Sequence, residues 1–272
     1  MAMRSVPAGA PRFGHCFDLG GAIVGVLLEI YSLRETEEGP RLFCHLSSWC
    51  VDEPFRAFAP ALSSVATRRK DATYVNISPA RHTRLGIEAL GYRRYVKGQM
   101  AFAPLLTPAV RGARITKFDE ASDEARLLND WERQLLADHQ QLGCMALVGV
   151  NEGAWPFVLV KDRVVRRLLP CAEVLYCRDH ASLARFARPL GRLLAKEGVF
   201  FALVDANAPV PKLIGAYVPG RAARYSKGGT PPQVGDLAYS ERAILDSKVE
   251  PNEDAAPPSP KGLRAAPDGA AE

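Results

Sequence analysis

The sequence is short of the groupings that mark a metal centre. Histidine occurs only 5 times in 272 residues, and the six cysteines (Cys16, Cys44, Cys50, Cys144, Cys171 and Cys177) form no C-x-x-C and have no nearby His pair. They lie among apolar neighbours, so buried free thiols in a reducing, cytoplasmic setting are expected. Long hydrophobic runs are also missing. The apolar stretch from Gly20 to Tyr31 is interrupted by Glu29 and falls short of the roughly 20 residues that span a bilayer. The opening MAMRSVPAGAPRF lacks the apolar region of a secretory signal, and no membrane partner is expected. Neither sign of charge dominates. The 35 Lys and Arg face 30 Asp and Glu, a net charge of +5 that suits an anionic small molecule. A basic stripe is lacking, so a nucleic-acid partner is not expected. What remains is the composition of an ordinary globular protein, 47% hydrophobic and 24% charged, long enough for one large or two modest domains.

Alternating apolar residues predict strands over His15 to Leu19 and Ala22 to Leu33, joined at Gly20-Gly21, and a third over Arg41 to Val51. Asp52-Glu53-Pro54 then reads as a helix start, with apolar residues at helical spacing from Phe55 to about Arg69. A strand over Ala72 to Ile77, a helix from about Pro79 to Leu90 capped by Gly91, and an extended segment from Tyr92 to Tyr95 follow. The polar stretch around residues 116–124 reads as a linker. Beyond it come a helix from Asp123 to about Gln141, strands over Cys144 to Val150, Trp155 to Val160 and about Leu168 to Cys177, a helix over Ala181 to Glu197 and a strand over Val199 to Asp205. From Ser247 the chain is rich in Pro, Ala and Gly, and residues 247–272 are expected to be a disordered tail.

Two stretches repeat one plan of strand, helix and strand. Phe58-Ala59 corresponds to Phe186-Ala187, and ATYVNISPA corresponds to FFALVDANA. Arg94-Tyr95-Val96-Lys97-Gly98 corresponds to Arg224-Tyr225-Ser226-Lys227-Gly228. Three matches in the same order, offset by 128 to 130 positions, argue for two copies of one α/β unit, over residues 1–115 and 125–246. The first looks short at its N-terminus.

The most informative run is Ser47 to Leu62. A strand feeds a turn carrying Arg56, and the small residues Ala57, Ala59 and Ala61 open a helix, so free amides and the helix dipole are expected to form an anion site there. This arrangement resembles the GNAT acyltransferase superfamily. Val51 to Arg56 match its Val-x-x-x-x-Arg turn, and Arg56-x-x-Ala59-x-Ala61 matches its phosphate arm, with Ala59 in place of glycine. Asn76 and Leu90-Gly91-Tyr92 look like the family's next segment, and Val234-Gly235-Asp236-Leu237 looks like a closing strand of tandem members. The resemblance implies an α/β fold of two tandem GNAT-like units, each a mixed, mostly antiparallel sheet flanked by helices. It implies an acyltransferase moving an acyl group from acetyl-CoA or a longer acyl-CoA to an amine on a small molecule or peptide, by direct attack on the thioester. Trp49, Cys50, Val51, Arg56, Ala57, Phe58, Ala59, Ala61 and Asn76 are the implied cofactor-binding residues.

Two departures from the family pattern stand out. Ile87 occupies the position where a Tyr often acts as general acid, and the second copy reads Arg178-Asp179-His180, where Asp179 would repel a pyrophosphate. If one half binds acyl-CoA it is therefore the first. For the base, Glu29 and His45 on adjacent strands are the candidates, with a solvated edge-strand carboxylate as the alternative for Glu29. Cys50 has no His or Asn partner and reads as packing. A non-catalytic module of the same fold, or a Fem-like aminoacyl transferase, are the competing readings. The oligomeric state is not legible.

Overall fold

The Gly20-Gly21 turn, with both residues at positive φ (62° and 95°), folds β1 (Gly14–Leu19) back onto β2 (Ala22–Thr36). β3 (Gly39–Val51) returns antiparallel along β2. The computed structural model describes residues 8–36, 39–164 and 169–245. A single 3-10 turn over Glu53–Phe58 leads into α1 (Ala59–Ala66), so the one helix expected from Phe55 to Arg69 is two elements. Pro60 explains the break. It has no amide hydrogen to continue a hydrogen-bond ladder and is at home in a first helical turn. β4 (Ala72–Asn76), a 3-10 turn at Arg81–Thr83, α2 (Arg84–Ala89) and β5 (Arg93–Phe102) follow.

Residues 114–117 form a strand, β6 (Arg114–Lys117), so the linker expected at 116–124 begins inside the sheet. The helix expected over Asp123 to Gln141 is split into α3 (Asp123–Arg126) and α4 (Asp130–Gln141), because Asn129 and Glu132 form a capping box that starts a new helix. β7 (Met145–Val150), β8 (Ala154–Val164) and β9 (Leu169–Cys177) are antiparallel neighbours, and α5 (His180–Lys196) crosses to β10 (Phe201–Ala206), which is parallel to β9. β11 (Gly215–Lys227) and α6 (Glu241–Ile244) complete the described chain. Val234 to Leu237, expected as a closing strand, is a turn, and β11 closes the sheet instead. The expected tail, 247–272, lies outside the described residues.

All eleven strands form one sheet in the order β1-β2-β3-β4-β11-β5-β10-β9-β8-β7-β6. Each parallel pair, β3 with β4 and β9 with β10, is bridged by a helix on the same face. α1 packs there against Leu27, Cys44 and Tyr74, and α5 against Leu159, Val174 and Val204. The opposite face is covered by α3, α4 and α6, whose Ala125, Leu135 and Ile244 share a core with Phe43, Val75 and Leu175. At the centre, β11 lies between β4 and β5, and β5 lies between β11 and β10. Buried charges cross this junction. Arg224 on β11 donates to Asp205 on β10 at 2.8 Å, to Glu173 on β9 at 3.2 Å and to the Ile77 carbonyl. Each acid has its guanidinium, as buried charge requires.

Candidate active site

β3 and β4 pair only from Leu42 to His45 against Ala72 to Val75. Past that point β3 stays on β2 while β4 turns toward β11, with Asn76 opposite Tyr225, so the strands part and β3 has no ladder partner on its β4 side. A bulge sharpens the opening. Ser48 and Trp49 together face Leu27, because Val26 pairs with Cys50 and Leu28 with Ser47, and Ser48 takes the left-handed region at φ 51°. Such a bulge bends the strand and re-aims its side chains, and a left-handed serine persists only where packing holds it.

The gap contains a cavity of about 250 Å³. Leu27, Leu46, Ser63, Ile87 and Tyr92 line it on the α1 and α2 side, and Ser47, Asn76 and Ser78 also reach it. Leu46 and Ser47 are consecutive strand residues and point to opposite faces. The cavity is therefore lined by residues from both faces of the sheet. Trp49 and Tyr92 line it, and two of their polar atoms, Trp49 Nε1 and the Tyr92 hydroxyl, are buried with no hydrogen-bond partner among the described residues. Burial and the nearby Cys44, Tyr74 and Glu29 push the Tyr92 phenol well above its usual range, so it holds its proton.

The expected catalytic pair is not brought together. Glu29 pairs across the ladder with Leu46, and His45 with Ile30, so the two side chains lie on opposite faces of the sheet. Glu29 is not on a solvated edge. Its strand is flanked by β1 and β3, it is 2% exposed, and burial pushes its carboxyl up to about 7. Its carboxylate is 3.2 Å from His15 Nδ1 on β1. His45 is fully buried, with Nε2 3.1 Å from the Arg34 guanidinium, which also pairs with Asp236 and the Ala238 carbonyl.

Trp49 and Asn76, two of the expected cofactor-binding residues, line the cavity. Val51 pairs with Gly25. Cys50 is exposed, as is Cys16, so two of the six free thiols depart from the expected burial. A carboxylate from far along the chain was not legible from the sequence: the Ser78 hydroxyl, on the cavity wall, donates to Glu241 Oε1 at 2.7 Å. Glu241 is 6% exposed and stands on α6, 163 positions from its partner. No local pattern announces such a pair.

The corresponding gap between β9 and β10 is filled by the chain itself. Leu237 donates its amide to the Leu175 carbonyl at 2.7 Å, and a Cβ on Gly235 would sit 3.5 Å from Val204. Asp236 in this segment pairs with Arg34. Asp179 caps α5 by accepting from the Ser182 amide at 2.6 Å.

The resemblance implies acyl-CoA, and its two ends fit differently. The gap suits a slim arm: β3 offers an unpaired strand edge to amide groups, and Trp49 and Tyr92 offer donors. The turn does not suit a pyrophosphate. Pro54 and Pro60 have no amide hydrogen, the Asp52 amide goes to Val24, the Phe55 amide to Asp52 and the Ala59 amide to Arg56. The 3-10 turn spends the amides between them on its own carbonyls. Arg56 stands exposed, 3.7 Å from Glu53, and Ala57, Phe58 and Ala61 are exposed beside it. Asp52 and Glu53 add two exposed carboxylates. The turn therefore offers fewer free amides than expected, because a tight turn and two prolines use or remove most of them.

Fold and site together define an α/β protein whose sheet parts over a cavity of mixed polar and apolar lining. No protein-family model and no curated protein matches the sequence. Among solved structures the chain is similar to Eis1 from Mycobacterium abscessus, at 14% identity and a TM-score of 0.45, covering 81% of this chain and 67% of that one. It is similar to a GCN5-related N-acetyltransferase from Anabaena variabilis, at 8% identity and a TM-score of 0.47, over 76% of this chain and 60% of that one. It is also similar to Saccharomyces cerevisiae N-myristoyltransferase, solved with bound myristoyl-CoA, at 11% identity and a TM-score of 0.42, over 79% and 68%. The chain thus spans less than two thirds of the Anabaena protein's length. With TM-scores below 0.5, these likenesses carry no argument, and the reading below rests on this chain's own residues.

Proposed function

We propose that this chain is a GNAT-like acyltransferase, built from two related units over residues 1–115 and 125–246. It moves an acyl group, acetyl or longer, from a thioester of the coenzyme A type to an amine on a small molecule or peptide. The observation that carries this reading is the cavity where β3 and β4 part, lined by residues from both faces of the sheet. A donor arm entering on the α1 side and an acceptor arriving on the other can meet inside it. The bound thioester supplies an activated acyl carbon. Trp49 Nε1, buried and unpartnered, is a hydrogen-bond donor available to an oxygen that gains charge as the amine attacks. Ser78, backed by Glu241, offers the amine a route for its proton. Tyr92 lines the cavity beside Ile87, which has no polar group. With its raised pKa it donates a hydrogen bond to the leaving sulfur and keeps its proton. Glu29, on the cavity's α1 side but absent from its wall, sets the local charge, and His45 braces Arg34.

Calorimetry with acetyl- and octanoyl-thioesters, followed by an amine-acylation assay, tests this reading. Glu241→Gln should lower kcat by about 10²-fold and flatten the pH–rate profile while leaving donor affinity intact. No heat with any acyl length in a well-folded sample sinks the proposal. The spent amides of the turn and the apolar Ile87 favour one second reading, a binding module of the same fold, which predicts thioester binding without turnover.

A further inference from the structure

We infer that the acyl donor is recognised through its pantetheine-type thioester arm alone, and that its nucleotide end is not bound. This rests on the acyltransferase reading and concerns what that site selects. Three observations point the same way. The gap suits an extended amide-bearing chain, with a β3 edge past His45 that β4 does not pair, a bulge at Ser48-Trp49, and the lining residues Trp49 and Tyr92, whose buried donors have no partner among the described residues. Its volume of about 250 Å³ lies below the roughly 300–1,000 Å³ of pockets that enclose whole drug-sized ligands. That volume suits a slim arm.

Just beyond the gap, where a pyrophosphate would lie, the chain offers repulsion instead of donors. Asp52 and Glu53 are exposed, Pro54 and Pro60 have no amide hydrogen, and the amides of Asp52, Phe55 and Ala59 are committed to carbonyls. The one cation of the turn, Arg56, sits by Glu53 with 69% of its side chain exposed, and a pair that open to water contributes little. A diphosphate placed there would lose its hydration against two carboxylates and gain few hydrogen bonds. A donor whose arm ends in something other than a nucleotide avoids that loss. Two sources present the same arm, a free pantetheine thioester and a phosphopantetheine arm tethered to a carrier protein.

The full chain should be titrated calorimetrically with octanoyl-CoA, S-octanoyl-pantetheine and an octanoyl-phosphopantetheinyl carrier protein. The truncated thioester is expected to bind within about tenfold of octanoyl-CoA. Ala59→Asp, which adds a third carboxylate to the turn, is expected to change octanoyl-CoA affinity by less than about twofold. A carrier thioester that binds more tightly than the free arm assigns the tethered source, and equal binding assigns the free one; both support the inference. Octanoyl-CoA binding more than about tenfold tighter than the truncated thioester, or lost with Ala59→Asp, overturns it and leaves the acyltransferase reading standing. If no thioester binds, both fall together.

Discussion

Glu29→Gln is the substitution whose effect can be worked furthest from the structure. The carboxyl is buried on β2 and faces His15 from β1, Tyr31 on its own strand, Cys44 on β3 and Tyr74 on β4. Burial raises its pKa from 4.5 to about 7, so the folded protein holds a proton that the unfolded chain has already released. Between those two values the native state binds more protons than the unfolded state, and stability falls as pH rises. Below 4.5 both states are protonated and the cost vanishes; above about 7 it is fully present. A shift of this size corresponds to at most about 3 kcal/mol, and screening through the partly exposed His15 reduces that to roughly 2. Glutamine keeps the shape and cannot ionise. Urea unfolding of both proteins at intervals from pH 4.5 to 8 should give curves that coincide at the acid end and separate by roughly 2 kcal/mol at pH 8, with the variant more stable. Parallel curves, or a wild type that gains on the variant as pH rises, would refute the burial argument.

Other consequences are simpler to state. Arg34→Met leaves Asp236 buried without its partner and loosens the segment filling the second gap, so chemical denaturation should show a loss of about 3–5 kcal/mol. Gly191→Ala puts a Cβ 2.5 Å from the Leu105 amide nitrogen, where α5 crosses the turn at Pro104; thermal unfolding should report a loss of about 1–3 kcal/mol. Tyr92→Phe removes a buried hydroxyl that no protein group satisfies, so stability should hold or rise by about 1 kcal/mol while acyl transfer slows. A drop in stability with unchanged turnover would assign Tyr92 to packing.

The strands were readable because they alternate over long stretches, and alternation also placed His45 on the face opposite Cys44 and Leu46. What alternation does not supply is register. That Glu29 opposes Leu46 is set by the bulge at Ser48 and the pairing of β2 with β3, so the separation of Glu29 from His45 emerged only in three dimensions. The turn was misread for a related reason. Asp52-Glu53-Pro54 is a good helix start by propensity, but how many amides stay free depends on which carbonyls they reach: Asp52 bonds back to Val24, and the 3-10 turn takes up Phe55 and Ala59. Ser78 and Glu241 carry no local signal at all, since their meeting depends on α6 docking over β4.

The placement of β11 has a consequence for synthesis. β4 and β5 belong to the first part of the chain, yet the strand that separates them is among the last made. As the chain leaves the ribosome, β4 emerges with one edge open and keeps it until Lys227 has been added, so the cavity beside it cannot take its final form early. A fragment ending near residue 115 would carry that edge permanently, exposed to pairing with other chains. The early and late strands share one sheet, and the early ones are not fully paired until the last strand has been made.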